Sequence, residues 1–305
     1  MEHAASYGNA PATQAPTTGA RGAGAEAGLT MPSGEAVTRQ TPSEIPAPKP
    51  TPGRRHLKLA SFNIQTGIST TCFRDYITGS WRHLWPSEKR LLNLDRIAHL
   101  LRPFDIVGLQ EVDGGGARSH HIVQTQYLAE QAGFAHWHNQ VNRRIGNLAL
   151  HSNGLLSRIK PDSIHDYKLP GLPGRGALLA RFGRLGEEAL YLCVLHLALG
   201  RRSRLRQLGF ISDLIHDLPY VVLMGDLNCE PHSPELKLLV RNTRLCDPAC
   251  EIKTFPSWRP HRMLDHILVT PELKVRKVQV LDFACSDHLP IAMEIELPQK
   301  LRFAL

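Results

Sequence analysis

The chain has 305 residues, 42% of them hydrophobic, and a formal net charge of +8. That length allows one large domain or two small ones, and the basic balance suits a phosphate-bearing or polyanionic partner while leaving the fold open. The six cysteines are scattered with no C-x-x-C pair, which argues against a disulfide scaffold or a zinc site and for reduced cytosolic thiols.

Residues 1–55 are dominated by Ala, Gly, Pro, Thr and Glu, and their only aromatic is Tyr7. Too little apolar area is present there to offset chain entropy, so a disordered tail is expected. It is not read as a secretory signal, because no apolar run follows a basic start. No later stretch approaches ~18 uninterrupted apolar residues, so no membrane span is expected, and the chain is read as cytoplasmic and monomeric. The tail holds five Lys/Arg and four Asp/Glu, leaving the 56–305 domain near +7.

Leu57–Asn63 alternates as a strand with Asn63 at its exit. Residues 65–87 read as a long irregular insertion bearing Trp81, His83 and Trp85. Leu91, Leu94, Ile97, Ala98 and Leu101 recur at helical spacing, which predicts a helix over 88–101 stopped before Pro103. Asp105–Glu111 reads as a short buried strand ending in a carboxylate, and 122–132 as a helix closed by Gly133. Asn153–Arg158 and Ala177–Ala180 read as neighbouring strands. Leu190, Leu192 and Val194 alternate towards His196, and Leu205, Leu208, Ile211 and Ile215 mark another helix face. Val221–Asn228 reads as a buried strand that ends in Asp226 and Asn228 on one side, followed by a helix capped by Ser233 with Pro234 at its first position. Leu264–Val269 is a strand with Asp265 set into it. Ser286-Asp287-His288 stands just before the alternating run Ile291–Leu297. Strands outnumber helices and several helices connect strands, so the expected class is an α/β (α+β) layered domain with mixed sheets.

Apolar strands that end in an acid, amide or imidazole recur along the chain. An ordinary Asp/Asn turn accounts for any one of them, but the set is Asn63, Glu111, His196, Asp226 with Asn228, Asp265, and Asp287 with His288. Open α/β sheets place chemistry outside the carboxyl ends of strands. Carboxylates held ~4 Å apart repel by several kcal/mol per pair at an effective dielectric near 20. Such a cluster requires a cation or shared protons, and oxygen donors favour Mg²⁺ or Mn²⁺ over zinc.

The framing of these residues, Phe-Asn-Ile, Leu-Gln-Glu-Val, Val-Leu-His-Leu, Gly-Asp-Leu-Asn, Leu-Asp-His-Ile-Leu and Ser-Asp-His-Leu-Pro-Ile, resembles the endonuclease/exonuclease/phosphatase superfamily, the DNase-I-like fold. The resemblance runs from about Leu57 to about Pro298. It implies a four-layered sandwich of two mixed β-sheets flanked by helices, and metal-assisted in-line attack of water on a phosphodiester or phosphomonoester. It also implies that Glu111, Asn63 and Asp287 hold Mg²⁺ or Mn²⁺, that Asp226 orients or deprotonates the water, and that Asn228 holds a phosphate oxygen or that water. His288, oriented by Asp265, would contact the scissile phosphate, and His196 would be a second imidazole near the leaving group. Val112-Asp113 follows Glu111 where abasic-site endonucleases of the family carry Thr-Lys, which disfavours abasic-site repair and leaves nucleic acid or a phospholipid or sphingolipid headgroup as the substrate. A peripheral membrane contact is compatible with the second. Arg175, before a strand, and Arg201, opening an arginine-rich helix start, are candidates for substrate phosphate, although such a start is usually a solvated face. His266 alternates away from Asp265 and is read as structural; His120 and His121 are read as exposed loop residues. The alternative is a basic binding module that uses the same fold without catalysis; it would typically have lost Glu111, Asp226 or His288, and all three are present.

Overall fold

The computed structural model describes residues 55–68, 88–171, 173–184, 186–249 and 251–301. The 1–55 tail, apart from Arg55, and most of the 65–87 insertion lie outside those residues. Eleven strands among them form two sheets. The six-stranded sheet runs β10 (Lys274–Val280), β11 (Ile291–Glu296), β1 (His56–Asn63), β2 (Ile106–Asp113), β4 (Ala149–Ser157), β3 (His136–Ile145). The five-stranded sheet runs β5 (Ser163–Lys168), β6 (Gly176–Phe182), β7 (Leu190–His196), β8 (Tyr220–Asp226), β9 (Asp265–Val269). Both sheets are mixed: β1 with β2 and β7 with β8 are parallel, and the other pairs are antiparallel.

The layering follows from strand parity. In β1, Leu57 and Leu59 enter the core shared by both sheets, whereas Ala60 and Phe62 enter a second core under helix α1 (Glu88–Leu101) and helix α2 (Gln124–Ala132). In β8, Val222 and Met224 face the shared core, and Val221 and Leu223 face helix α3 (Arg201–Ile215) and helix α4 (Pro234–Asn242). Strands buried on both faces read as continuous apolar runs, and the result is helices, sheet, sheet, helices. Where the sheets meet, a Cβ on Gly108 would lie 2.8 Å from Met224 Sδ, so a glycine there lets β2 and β8 approach.

The expected helices stand at Glu88–Leu101 and Gln124–Ala132, the latter closed by Gly133 in the left-handed region at φ 75°. Ser233 caps α4 by accepting from Leu236 N at 3.3 Å, with Pro234 next in line. One expectation is corrected. Asn153–Arg158 and Ala177–Ala180 are not neighbours, because β4 pairs with β2 and β3, and β6 pairs with β5 and β7 in the other sheet. The chain changes sheets after β4, and β5, a partly exposed edge strand of mixed polarity, carries too little apolar periodicity to announce itself.

Candidate active site

The parity that builds the shared core also aims the polar strand ends. Asn63 continues the inward series of Leu57 and Leu59, His196 that of Leu192 and Val194, and Asp226 that of Val222 and Met224. Residues His196, Asp226 and Asp265 stand side by side across β7, β8 and β9. His266 falls on the opposite face, where its Nδ1 meets Asp247 Oδ2 at 2.7 Å and its Nε2 meets the Cys229 carbonyl at 2.9 Å. That is the structural role expected for it. Gly225 is required by close approach, since a Cβ there would lie 1.9 Å from the Leu195 carbonyl oxygen.

Simple alternation would send Glu111 to the helix side with Val107 and Leu109. The β2–β4 register shifts between Leu109 and Val112, and Glu111 takes φ 55°. This bulge, with a non-glycine residue in the left-handed region, turns the carboxylate to the cleft at a strain cost of order 1 kcal/mol or more. Glu111 Oε1 lies 4.0 Å from His196 Nε2.

Asp226 is the hub. Its Oδ2 accepts from Asn63 Nδ2 at 3.2 Å and lies 3.4 Å from His196 Nε2 and 3.8 Å from His288 Nε2. Its Oδ1 accepts from the Asn228 backbone N–H at 2.9 Å, a local turn that holds Asn228 at φ 51°. The Asn228 side chain donates to the Leu197 carbonyl at 3.0 Å, tying the ends of β7 and β8 together. His288 Nδ1 is 2.7 Å from Asp265 Oδ2, which also accepts from Thr254 Oγ1 at 2.5 Å. Asp287, in the same loop as His288, accepts from Ser286 Oγ at 3.1 Å, and Ser286 Oγ also reaches the Asn63 carbonyl at 2.7 Å.

Electrostatics follow from crowding. Burial first, then neighbouring carboxylates, raise Asp226 and Asp287 to about 6, and His288 works against both shifts. Glu111 is raised for the same first reason, although 35% of its side chain stays open at the cleft mouth. Burial alone would lower His288, but Asp265 and Asp226 outweigh it and carry it up to about 10, so it is an imidazolium at neutral pH. His196 is pushed well below its ordinary value by burial and by Arg175. Arg175 Nη1 sits 3.1 Å from His196 Nδ1, and a guanidinium only donates, so that ring nitrogen accepts and Nε2 carries the hydrogen. His196 is therefore a neutral donor facing Asp226.

Asp226, Asp265 and His288 each place an atom within 4.8 Å of the others. The short Nδ1 contact makes His288–Asp265 a hydrogen-bonded ion pair, so this trio is a proton-handling group. The site as a whole still carries excess negative charge. Four carboxylates, Glu111, Asp226, Asp265 and Asp287, face one imidazolium and one guanidinium, and Asp265 Oδ1 is buried with no hydrogen-bond partner. The oxygen-rich donors Glu111, Asp287 and Asn63 fit a hard divalent cation that would balance this charge.

Of the arginines singled out in the sequence, Arg175 reaches the site. Arg201 is 62% exposed, lies 3.5 Å from Glu235, and does not line the cleft; Arg204 bonds Glu235 at 2.6 Å and so locks α3 to α4. Sequence reasoning missed Thr254 and Ser286 as supports of the site and His151 and Arg143 on the cleft wall. None has a motif spacing that would reveal it; Ser286 alone stood inside a quoted motif. A smaller cavity of about 110 Å³ by Lys58, Phe104 and Lys277 holds none of these groups.

A family model described as Endonuclease/Exonuclease/phosphatase family matches residues 60–288. The fold is similar to an endonuclease/exonuclease/phosphatase from Beutenbergia cavernae DSM 12333, with 22% identity, a TM-score of 0.63, and 81% of this chain and 73% of that one covered. It is similar to a mannosyl-6-phosphatase of Bacteroides thetaiotaomicron VPI-5482 at 18% identity and a TM-score of 0.59, covering 78% and 99%. The catalytic domain of human Nocturnin with bound sulfate aligns at 17% identity and a TM-score of 0.59, covering 80% and 94%. A search of curated proteins gave no match. The match to the family model over most of the chain, on a two-sheet layered fold, places this chain in the endonuclease/exonuclease/phosphatase family.

Proposed function

We propose that this chain is a divalent-metal-dependent phosphoesterase that cleaves a phosphodiester or phosphomonoester by in-line attack of water, with Mg²⁺ or Mn²⁺ held by Glu111, Asp287 and Asn63. The observation that carries this reading is the convergence of three carboxylates, Glu111, Asp226 and Asp287, on the His288–Asp265 imidazolium–carboxylate pair at a single end of both sheets. The bound ion would supply neutralisation of charge developing on phosphate oxygens.

The protein groups divide the remaining work. Asp226, raised to about 6, is suited to take a proton from water near neutral pH, and Asn63 and the Asn228 N–H hold it in place. His288 stays charged because Asp265 anchors Nδ1, and its Nε2–H is free to donate to a phosphoryl oxygen. His196 donates from Nε2 as a neutral imidazole, which favours a positioning role over a proton reservoir. Arg175 both fixes His196 and brings a guanidinium to the cleft. Turnover of bis(p-nitrophenyl) phosphate and of a phosphomonoester with Mg²⁺, with Mn²⁺ and with EDTA tests this reading. Metal-restored hydrolysis is the expected result, and full activity in EDTA would contradict it.

A further inference from the structure

The cleft at Glu111 and His196 extends outward as a recess, and cleft and recess together enclose about 470 Å³, a size typical of small-molecule sites. Its walls come from three places. The β3–β4 hairpin contributes Asn142, Arg143 and His151; the loop before β6 contributes Gly174 and Arg175; the turn after β7 leads through Gly200 to Ser203 on α3.

The lining is lopsided in charge. Among the described residues that line it, Glu111, assigned to the ion, is the one carboxylate, against Arg143 and Arg175. His151 adds no charge at neutral pH, because burial and the guanidinium groups of Arg118, Arg143 and Arg175 lower it to about 4, with Asp113 opposing. The 15-residue α3 begins at this wall with Gly200 as its cap residue, which offers no side chain to the first N–H groups, and with no acidic residue in its first turn. A helix start of that kind adds partial positive charge. The Arg143 stem runs past Gly174, its Cδ lying 3.2 Å from where a Cβ there would stand, and Gly174 itself needs φ 110°. Arg143 and the next residue on β3, Arg144, are both exposed, and of the two Arg143 lines the recess.

We infer that the recess is a second anion subsite, and that the substrate is a compact polyhydroxylated small molecule carrying a second phosphate or equivalent anionic group beyond the scissile one. The inference rests on the phosphoesterase reading above. The scissile phosphate lies at Glu111 and His288, and the second anionic group lies between Arg143 and the start of α3. Asn142 and Ser203 face the hydroxyl-bearing body between them. A three-walled recess suits a molecule of this size better than a duplex, whose backbone needs an open groove.

Isothermal titration calorimetry on Mg²⁺-loaded protein tests it, with fructose 1,6-bisphosphate against fructose 6-phosphate and adenosine 3′,5′-bisphosphate against adenosine 5′-monophosphate. At least one bisphosphate is expected to bind about ten-fold or more tighter than its monophosphate. Arg143→Ala erases that preference and Arg144→Ala keeps it. Equal affinity for both members of each pair, or a preference that survives Arg143→Ala, would overturn the subsite. So would a single-stranded oligonucleotide that binds tighter than every bisphosphate and loses affinity equally in the two variants. Turnover of bis(p-nitrophenyl) phosphate is measured separately. A preserved, Arg143-dependent preference in a protein with no turnover supports the subsite and counts against the phosphoesterase reading alone.

Discussion

His288 holds Asp265 Oδ2 at 2.7 Å through Nδ1 and faces Asp226 Oδ2 at 3.8 Å through Nε2, so one imidazole stands between an anchoring carboxylate and a reactive one. Asp265→Asn is expected to leave the fold intact and slow phosphodiester hydrolysis by about 10²–10⁴-fold, the usual span for a group in acid–base work. His288→Ala costs at least as much, and the double variant loses far less than the product of the two. Losses that multiply would show that the residues act separately.

Asp226 and Asp287 link the site to stability. Both are held near 6 in the folded protein against an ordinary value of 3.8. Between those values the folded state keeps protons that the unfolded chain has released, so their contribution is present at low pH and is lost as pH rises through about 6. In EDTA the melting temperature should therefore carry a component that falls across this window. Mg²⁺ should offset it, with a larger thermal shift at pH 7 than at pH 5, because binding competes with protons. Thermal melts at both pH values check this, and an equal Mg²⁺ shift at the two would contradict it.

His266 and Asp247 form a second imidazole–carboxylate pair, buried on the other face of β9. Burial lowers the His266 pKa, but Asp247 outweighs it and the net shift is upward. That stabilisation is fully present below the ordinary value of 6.5 and is lost as pH rises through the folded-state value. Removing one partner of a buried pair typically costs about 3–5 kcal/mol. Asp247→Asn is thus expected to unfold in less urea, with its deficit largest at acidic pH, while kcat per folded molecule is retained. A kcat loss as large as that of Asp265→Asn would place the pair in the chemistry.

Gly225→Ala sets a Cβ against the Leu195 carbonyl, between the strands that carry His196 and Asp226. A loss of about 2–4 kcal/mol in stability is expected, together with reduced turnover in the molecules that remain folded. Unchanged stability would mean that β7 and β8 can separate at that point without cost.

Much of this architecture was legible because parity does two jobs. The alternation that fills the shared core with Leu57, Leu59, Val222 and Met224 also carries Asn63 and Asp226 to the same end of the sandwich. It likewise separates Asp265 from His266. Alternation fails at Glu111, which only the bulge in β2 turns into the cleft, and no local sequence pattern encodes a bulge. Edge strands were the other loss: β3, β5 and β10 carry charged and exposed residues at many positions and show no apolar period. With β3 went Arg143 and the recess. The arginine run at Arg201 read as one group, but Arg204 is held by Glu235 and contributes to packing, a partnership that spans 31 residues and leaves no local trace.

Glu111 is the residue on which metal-dependent hydrolysis rests, and a Mg²⁺ titration of wild-type and Glu111→Gln protein reads its role most directly. Thermal shift and turnover of bis(p-nitrophenyl) phosphate are followed together. The wild-type protein is expected to gain melting temperature and activity in parallel as Mg²⁺ rises, and to lose both in EDTA. Glu111→Gln should remain folded, show little thermal shift, and lose about 10³-fold or more in turnover, since a metal supplies several kcal/mol of transition-state stabilisation. A wild-type protein that turns over fully in EDTA, or a Glu111→Gln variant with an undiminished Mg²⁺ shift and rate, would contradict it.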